Sequence, residues 1–217
     1  NGNRTGTVRH AQALSSMQRA ALVAGGIGAS LPQIASRADQ HQQFAYDLLN
    51  RLASRTDASG TITRNGYDSM GRLTASTTAA GTPEARTQTR RYDLQGRLVA
   101  ELFGEGSAAL AAPGASVAAV WQTYATAYTY DAAGRMTSRT DANGHRTLFF
   151  YNADSQLVYA INAAGEVEAH RYDGVRQETG ITRYTARLDA ATLATLQGGL
   201  SDAALDAVIA ALADAST

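Results

Sequence analysis

Acidic side chains recur along this sequence and are its first candidates for chemistry, either as paired general acids and bases or as calcium ligands. Six of them begin similar short segments: Asp47, Asp57, Asp68, Asp93, Asp131 and Asp141. A catalytic centre needs one constellation of groups, whereas these aspartates return wherever a turn is expected. Their repetition therefore favours a structural role in turns.

The other reactive groups form no recognisable site. The sequence has no cysteine, and its 19 basic residues are all arginine, which excludes disulfides, thiolate nucleophiles, phosphate-loop lysines and Schiff-base lysines. The four histidines are dispersed without metal-ligand spacing: His10, His41, His145 and His170. We expect no catalytic residue, no metal and no cofactor, so the chain is predicted not to be an enzyme.

Charge and hydropathy limit the partners. The formal net charge is +0 and the pI is about 7.1, so no overall field attracts nucleic acid. The longest weakly polar stretches, 20–35 and 108–121, are broken by glycine and proline and fall short of the roughly 20 apolar residues that span a bilayer. We expect neither nucleic-acid binding nor membrane insertion.

A tyrosine followed by Asp or Asn recurs six times, and this repeat organises the chain. The pairs are Tyr46-Asp47, Tyr67-Asp68, Tyr92-Asp93, Tyr130-Asp131, Tyr151-Asn152 and Tyr172-Asp173. Their spacings are 21, 25, 38, 21 and 21 residues, which indicates a 21-residue period with insertions in the second and third intervals. Three units continue with a glycine and an arginine, Gly71-Arg72, Gly96-Arg97 and Gly134-Arg135, and Asn50-Arg51 takes that place in the first unit.

Each unit contains the elements of a β-hairpin. The form Asp-x-x-Gly suits a type I turn that closes on a left-handed glycine, and it recurs midway through units, as at Asp57 and Asp141. Between turns lie six or seven residues that alternate in polarity, as strands with one buried face do. We predict an antiparallel meander of about ten strands over 44–185, about 50 Å wide and curved.

The segments YDSMGRL, YDLQGRL and YDAAGRM resemble the tyrosine-aspartate (YD) repeats of bacterial rearrangement-hotspot (RHS) proteins, which animal teneurins share. The resemblance covers about 140 of the 217 residues. It implies a mainly β fold in which hairpins form a ribbon that spirals into a shell, and in several bacterial members the shell encloses a toxic polypeptide. It also implies that the repeat residues are structural.

The sequence departs from that family in two ways. Toxin-bearing members end the shell with a self-cleaving segment that contains Asp-Pro, and no Asp-Pro occurs here, so self-cleavage is not expected. In the last unit the glycine is shifted, as Asp173-Gly174-Val175-Arg176. This shift suggests that the ribbon changes or stops near residue 185.

The ends read as helical. Residues 1–43 are predicted to be a helix and linker, with Leu14, Met17, Ala21 and Leu22 on one face and an end at Gly25-Gly26. The repeat ribbon follows over 44–185, with a surface loop at 107–123. Residues 186–217 are predicted to be a helical hairpin in which Ser201 caps a helix bearing Leu205, Val208, Ile209 and Leu212.

The predicted function is that of a non-catalytic structural segment of a large secreted or surface YD-repeat protein, part of a β-shell scaffold around a toxin or other cargo. Its partners would be the remainder of the same chain and that cargo, and its export signal would lie outside the segment. The alternative is an adhesion module whose tyrosines and arginines bind cell-surface glycans or protein receptors. The two differ in whether the tyrosine rings are covered or exposed.

Overall fold

The computed structural model describes residues 2–10, 13–25 and 39–214. They divide into two compact units, residues 1–87 and 88–217. Both units are built mainly of antiparallel strands joined as hairpins. The predicted fold class, a mainly β meander with short flanking helices, is confirmed.

The first unit contains one helix and five complete strands among its described residues. In chain order these are β1 (Gly6–Arg9), α1 (Ser16–Gly25), β2 (Gln40–Tyr46), β3 (Leu52–Thr56), β4 (Ile62–Tyr67) and β5 (Leu73–Thr78). Each strand pairs antiparallel with the next. The sequence pattern did not predict β1, which lies within the stretch interpreted as helix and linker.

The next strand, β6 (Arg86–Tyr92), begins at the end of the first unit. The second unit continues with β7 (Leu98–Leu102), α2 (Gly104–Ala111), α3 (Val117–Tyr124), β8 (Thr126–Tyr130), β9 (Met136–Thr140), β10 (Arg146–Tyr151), β11 (Leu157–Ile161), β12 (Val167–Tyr172) and β13 (Glu178–Arg183). These strands also pair in chain order.

Twelve strands, β2 to β13, lie between residues 40 and 183, so the prediction of about ten was too low. The loop after β5 explains part of the difference. It carries positive φ angles at Ala79 (54°) and Gly81 (90°) but no Asp-x-x-Gly. The chain therefore turns here without the Asp-x-x-Gly sequence from which the number of strands was predicted.

Residues 107–123 are not a surface loop as predicted, because α2 and α3 fold back onto the strand before them. Trp121 and Val120 are each 8% exposed and pack with Leu102, which is fully buried. The guanidinium of Arg91 lies 4.1 Å from the Trp121 ring centroid. The Pro113-Gly114 pair suggested a loop, but it occupies only the connection between the two helices. Burial of their apolar side chains stabilises the helices against the strand.

The C-terminal segment covers the face of β10 to β12. It comprises α4 (Ala190–Thr195), β14 (Gly199–Leu200) and α5 (Ala203–Asp214). The core contains four residues from the strands, one residue that precedes α4 and two residues from α5: Leu148, Phe150, Ile161, Val167, Leu188, Leu205 and Ile209. Two helices were predicted here, but β14 was not.

The strand β14 runs parallel to β10 and pairs with it at Phe150 and Tyr151, beyond the point where β9 and β10 stop pairing at Ser138 and Leu148. The backbone amide of Ser201 then donates to the carbonyl of Tyr151 at 2.8 Å. Its side chain is not the predicted helix cap. That role belongs to Asp202, whose Oδ1 accepts from the backbone amide of Leu205 at 2.8 Å.

The predicted N-terminal helix forms at Ser16–Gly25. Its expected apolar face is not buried at Met17, whose side chain is 82% exposed. The side chains of Ala21 and Leu22, and the residue Gly26, lie outside the described residues. The helix bounds therefore agree with the sequence pattern, but Met17 does not pack as that pattern suggested.

Gly198 lies where β14 enters between β9 and β10. Its φ is +76°, and a Cβ there would collide with the carbonyl oxygen of Thr137. We expect Gly198→Ala to lower the free energy of unfolding by about 3 kcal/mol or more, because the backbone on both sides is fixed by pairing. The matched control is Gly134→Ala, which has a similar φ of +82° but open space around the Cβ.

The control should cost only about 1 kcal/mol, the strain of a left-handed alanine. Chemical denaturation of the two variants measures the difference. Equal losses would mean that β14 does not enter the sheet as described.

Candidate functional site: the tyrosine, aspartate and arginine ladder

Each YD turn that begins with an aspartate is closed by one carboxylate. In the turn of Asp68, Oδ1 accepts from the backbone amides of Met70 (3.0 Å) and Arg72 (2.9 Å), and Oδ2 accepts from Nε of Arg72 at 2.7 Å. The amide of Gly71 donates to the carbonyl of Asp68 at 3.0 Å. The aspartate therefore caps the backbone and orients the arginine at the same time.

Three other turns have the same arrangement. The distance from the arginine Nε to the aspartate Oδ2 is 2.6 to 2.7 Å in Asp47–Arg51, Asp93–Arg97 and Asp131–Arg135. These side chains are only partly exposed. In all four turns the arginine therefore pairs with the aspartate four residues before it.

The oriented arginine reaches the next hairpin. Arg51 donates from Nη1 to the carbonyl of Asp68 at 3.0 Å, and its guanidinium lies 4.7 Å from the Tyr67 ring centroid. Arg97 does the same with the carbonyl of Asp131 (3.1 Å) and the ring of Tyr130 (4.9 Å). A planar group that donates at its edge and stacks on its face suits arginine and not lysine.

The tyrosine under each arginine makes a second hydrogen bond between the same two hairpins. Its hydroxyl donates to the carbonyl of the residue that follows the arginine covering it: Tyr67 to Leu52 (2.9 Å), Tyr130 to Leu98 (2.8 Å) and Tyr151 to Met136 (2.8 Å). Burial raises the pKa of Tyr130 and of Tyr151, which keeps both hydroxyls protonated as donors. We call this repeated set of tyrosine, aspartate and arginine the Tyr-Asp-Arg ladder.

The ladder changes at its C-terminal end. Arg135 covers the Tyr151 ring at 5.2 Å and donates to Oγ of Ser155 at 3.3 Å. In the next turn Asn152 and Gln156 replace the ion pair: Nδ2 of Asn152 donates to Oε1 of Gln156 at 2.7 Å. The geometry of the turn is retained without charge.

The last unit keeps its cap but also lacks the arginine. Oδ1 of Asp173 accepts from the amides of Val175 and Gln177, each at 2.9 Å, so Gln177 stands where the other units have arginine. The hydroxyl of Tyr172 still donates to the carbonyl of Leu157 at 3.0 Å. Among the described turns, Arg135 is therefore the last arginine that pairs with a turn aspartate.

The fourth turn position requires a positive φ, which Gly71, Gly96 and Gly134 supply (81° to 82°). Other residues adopt it in the remaining units: Asn50 (61°), Ser155 (63°) and Arg176 (67°). Gly174 does not take this role in the last unit, so the idea of a shifted turn glycine is wrong. The turn keeps its register and Arg176 takes the left-handed conformation instead.

The remaining predicted repeat residues occupy equivalent places. Tyr46 and Tyr92 end β2 and β6, each next to a register shift in the strand pairing. The sequence pattern placed Asn50 at the glycine position of the first unit but missed Ser155 and Gln156 as members of the set. A count of four residues from each Asp or Asn would have identified Gln156, and a count of three would have identified Ser155.

No cluster of three or more His, Cys, Asp or Glu side chains able to hold a metal occurs among the described residues. His145 contacts the turn carboxylate of Asp141 at 3.2 Å. His170 lies between Glu168 and Glu178, at 3.3 and 3.1 Å. Each of these two histidines thus takes part in a local contact with an acidic side chain.

A cleft of about 620 Å³ lies in the second unit beside β12 and β13. Two exposed ion pairs line it, Arg183–Glu168 at 2.6 Å and Arg187–Glu166 at 2.5 Å. Because each arginine there is already paired with a carboxylate, the cleft offers little unpaired charge to a ligand. No helix in the described part of the chain is long and apolar enough to cross a membrane.

Comparison with known proteins agrees with this geometry. The RHS Repeat family matches residues 46–83 and 122–147, which contain three of the YD turns. No curated protein matches the sequence.

Three similar solved structures are TcdB2-TccC3-Cdc42, TcdB2-TccC3 without its hypervariable C-terminal region, and TcdB2-TccC3. Their TM-scores are 0.51, 0.51 and 0.50, and their sequence identities are 16%, 16% and 17%. Each match covers 66% of this chain and 7% of the matched chain. At this identity the likeness is one of fold.

The ladder predicts that arginine cannot be replaced by lysine. We expect Arg97→Lys to lower the free energy of unfolding by about 1 to 2 kcal/mol, because one ammonium group cannot contact the Asp93 carboxylate, the Asp131 carbonyl and the Tyr130 ring together. The control is Arg176→Lys, since Arg176 is 69% exposed and pairs only at the surface with Asp154. That control should change stability by no more than about 0.5 kcal/mol.

The same geometry predicts how acid affects stability. The pKa of Asp68 is lowered, first by the backbone amide of Arg72, against partial desolvation, and further by the Arg72 side chain. The stabilisation is complete above the ordinary aspartate pKa of about 3.9 and is lost as the pH falls through the lower folded-state value. Thermal melts from pH 7 to pH 2 should therefore show a loss at the acid end.

In Asp68→Asn the melting temperature should start lower at pH 7 and approach that of the parent at acid pH. Asp154→Asn, in an exposed pair, should follow the parent curve. Parallel curves for the parent and Asp68→Asn would show that this carboxylate contributes nothing to the acid transition.

Proposed function

We propose that this chain, of which residues 46–83 and 122–147 match the RHS Repeat family, is a non-catalytic structural segment of a larger secreted or surface protein. In this proposal the hairpins form part of the wall of a β-shell that encloses a toxin or other cargo. The similarity to TcdB2-TccC3 structures, of which the chain matches 7%, supports a segment and not a whole shell. The sequence-based identification of the RHS family is confirmed.

One observation carries the proposal: the tyrosine and arginine side chains of the ladder are engaged in contacts within the chain. The rings of Tyr67, Tyr130 and Tyr151 lie under arginines, and their hydroxyls donate to the backbone. A glycan-binding surface needs exposed rings and unpaired polar groups. The covered rings therefore favour the scaffold over the adhesion module.

The ladder also explains how a wall could be extended. In the described contacts, Arg51, Arg97 and Arg135 each link their hairpin to the next one. Added repeats would then need no change in those already present. Side chains at the turn tips remain outside these links. Leu48 and Leu94 are 103% and 92% exposed, and apolar side chains of this exposure suit contact with other parts of a large chain.

Binding and activity assays test the proposal against its rivals. We expect the segment to bind no glycan on an array above background and to show no hydrolase, transferase or nuclease activity, because its aromatic and charged groups are engaged in the ladder. Turnover that disappears when His145 or Asp141 is replaced by alanine would contradict the non-catalytic assignment. Glycan binding that is lost in Tyr130→Ala, with the fold retained, would favour the adhesion module.

Enclosure is tested in the intact parent polypeptide. Limited proteolysis should spare an enclosed segment, and the paired changes Arg97→Gln and Arg135→Gln should expose it by weakening the wall. Arg176→Gln serves as a surface control. Equal digestion in all three proteins would count against a closed wall that depends on the ladder.

A further inference from the structure

Residues 2–4 have the geometry of the second half of a YD turn. Gly2 has a φ of +67°, as the turn residue Gly71 does at +81°. If Gly2 corresponds to Gly71, then Asn3 corresponds to Arg72 and Arg4 to Leu73. Two side-chain contacts test this alignment independently.

The first contact is made by Asn3. Its Nδ2 donates to Oδ1 of Asn50 at 3.1 Å, and Asn50 is the positive-φ residue of the following turn. Arg135 makes the same kind of contact with Ser155, the positive-φ residue of its own following turn. Asn3 therefore stands where the ladder has an arginine.

The second contact is made by Arg4. The hydroxyl of Tyr46 donates to the carbonyl of Arg4 at 3.0 Å, as the hydroxyl of Tyr67 donates to that of Leu52. Leu52 is the residue directly after the ladder arginine Arg51. Arg4, directly after Asn3, thus occupies the same place, and both contacts agree with the alignment that Gly2 suggests.

By this alignment β1 is the returning strand of a hairpin. The amide of Phe44 donates to the carbonyl of Thr5 at 2.8 Å, and Gly6 and Val8 stand opposite Gln43 and His41. In an antiparallel strand pair, residues that hydrogen-bond to the partner strand alternate with residues that do not. Since Thr5 is hydrogen-bonded to Phe44, Gly6 and Val8 direct their backbone groups away from β2. Within the described part of the first unit, β2 is the only strand that pairs with β1.

The complete hairpin of β4 and β5 shows what this open edge fits. Ala75 and Thr77, four and six residues after Gly71, pair with Gly66 and Arg64. Gly6 and Val8 lie at the same distances from Gly2. The missing strand would therefore end in a tyrosine opposite Arg4, followed by an aspartate three residues before Gly2.

We propose that Gly2 to Arg9 form the second half of a split Tyr-Asp hairpin, and that the open edge of β1 binds a strand ending in Tyr-Asp that is joined to Asn1 through one residue. The occupant is chain that precedes Asn1, because a turn with Gly2 at its fourth position leaves room for only two residues between the aspartate and the glycine. The inference rests on the proposed function, since it assigns one neighbour of the wall segment.

The test adds a copy of residues 62–69, whose sequence is ITRNGYDS, directly before Asn1. In this extended protein, hydrogen exchange of the amides of Gly6 and Val8 should slow by about tenfold or more, because both gain backbone acceptors. A control protein carries one extra glycine between the added serine and Asn1. That insertion shifts the strand by one residue and reverses its faces, so exchange at Gly6 and Val8 should stay fast.

A second variant isolates the edge itself. Val8→Pro removes an amide that points away from β2, so it should leave the unextended chain folded but abolish the protection gained by the extension. Unchanged exchange at Gly6 and Val8 in the extended protein, with β2 to β5 still protected, would overturn the split hairpin. That result would leave the wall function standing, since digestion of the parent polypeptide tests the wall separately.

Discussion

The structure depends on how a single carboxylate is used in the four turns that pair an aspartate with an arginine. One oxygen of the aspartate accepts two backbone amides, and the other holds the arginine Nε, as in Asp68 with Arg72. The arginine is thereby fixed in direction before it reaches any other hairpin, which lowers the entropy lost when it does. It can then contact the next turn carbonyl and the next tyrosine ring together, so a local turn motif becomes a connection between hairpins.

This connection matters most where apolar burial is scarce. Among the described residues of the first unit, Ala80 is the only buried hydrophobic residue. Its strands carry Thr, Ser, Gln and Asn at partly buried positions, and polar pairs such as Ser76 with Asn65 (3.0 Å) cross between them. Strand pairing and the ladder must therefore supply most of the stabilisation that a hydrophobic core supplies elsewhere.

The second unit adds apolar cores to the same hairpin plan. Trp121 covers Leu102 in one place, and Leu205 and Ile209 cover Leu148 and Ile161 in another. The ladder loses its charge in the same region, where Asn152 and Gln156 keep the hydrogen bond of the turn without an ion pair. The shared requirement of the turns is therefore hydrogen-bond geometry, and the arginine is an addition that four of them use.

The sequence by itself determined the repeat, the mainly β class and the turn residues, because a hairpin is a local structure and its signature lies within a few residues. The pairing of Asp131 with Arg135 follows from the same short spacing. Only the tertiary structure decided that Arg97 covers Tyr130, that Trp121 packs on Leu102, and that β14 lies beside β10. The contact of Tyr46 with Arg4 also required the tertiary structure, since contacts between residues far apart in the chain leave no fixed spacing in the sequence.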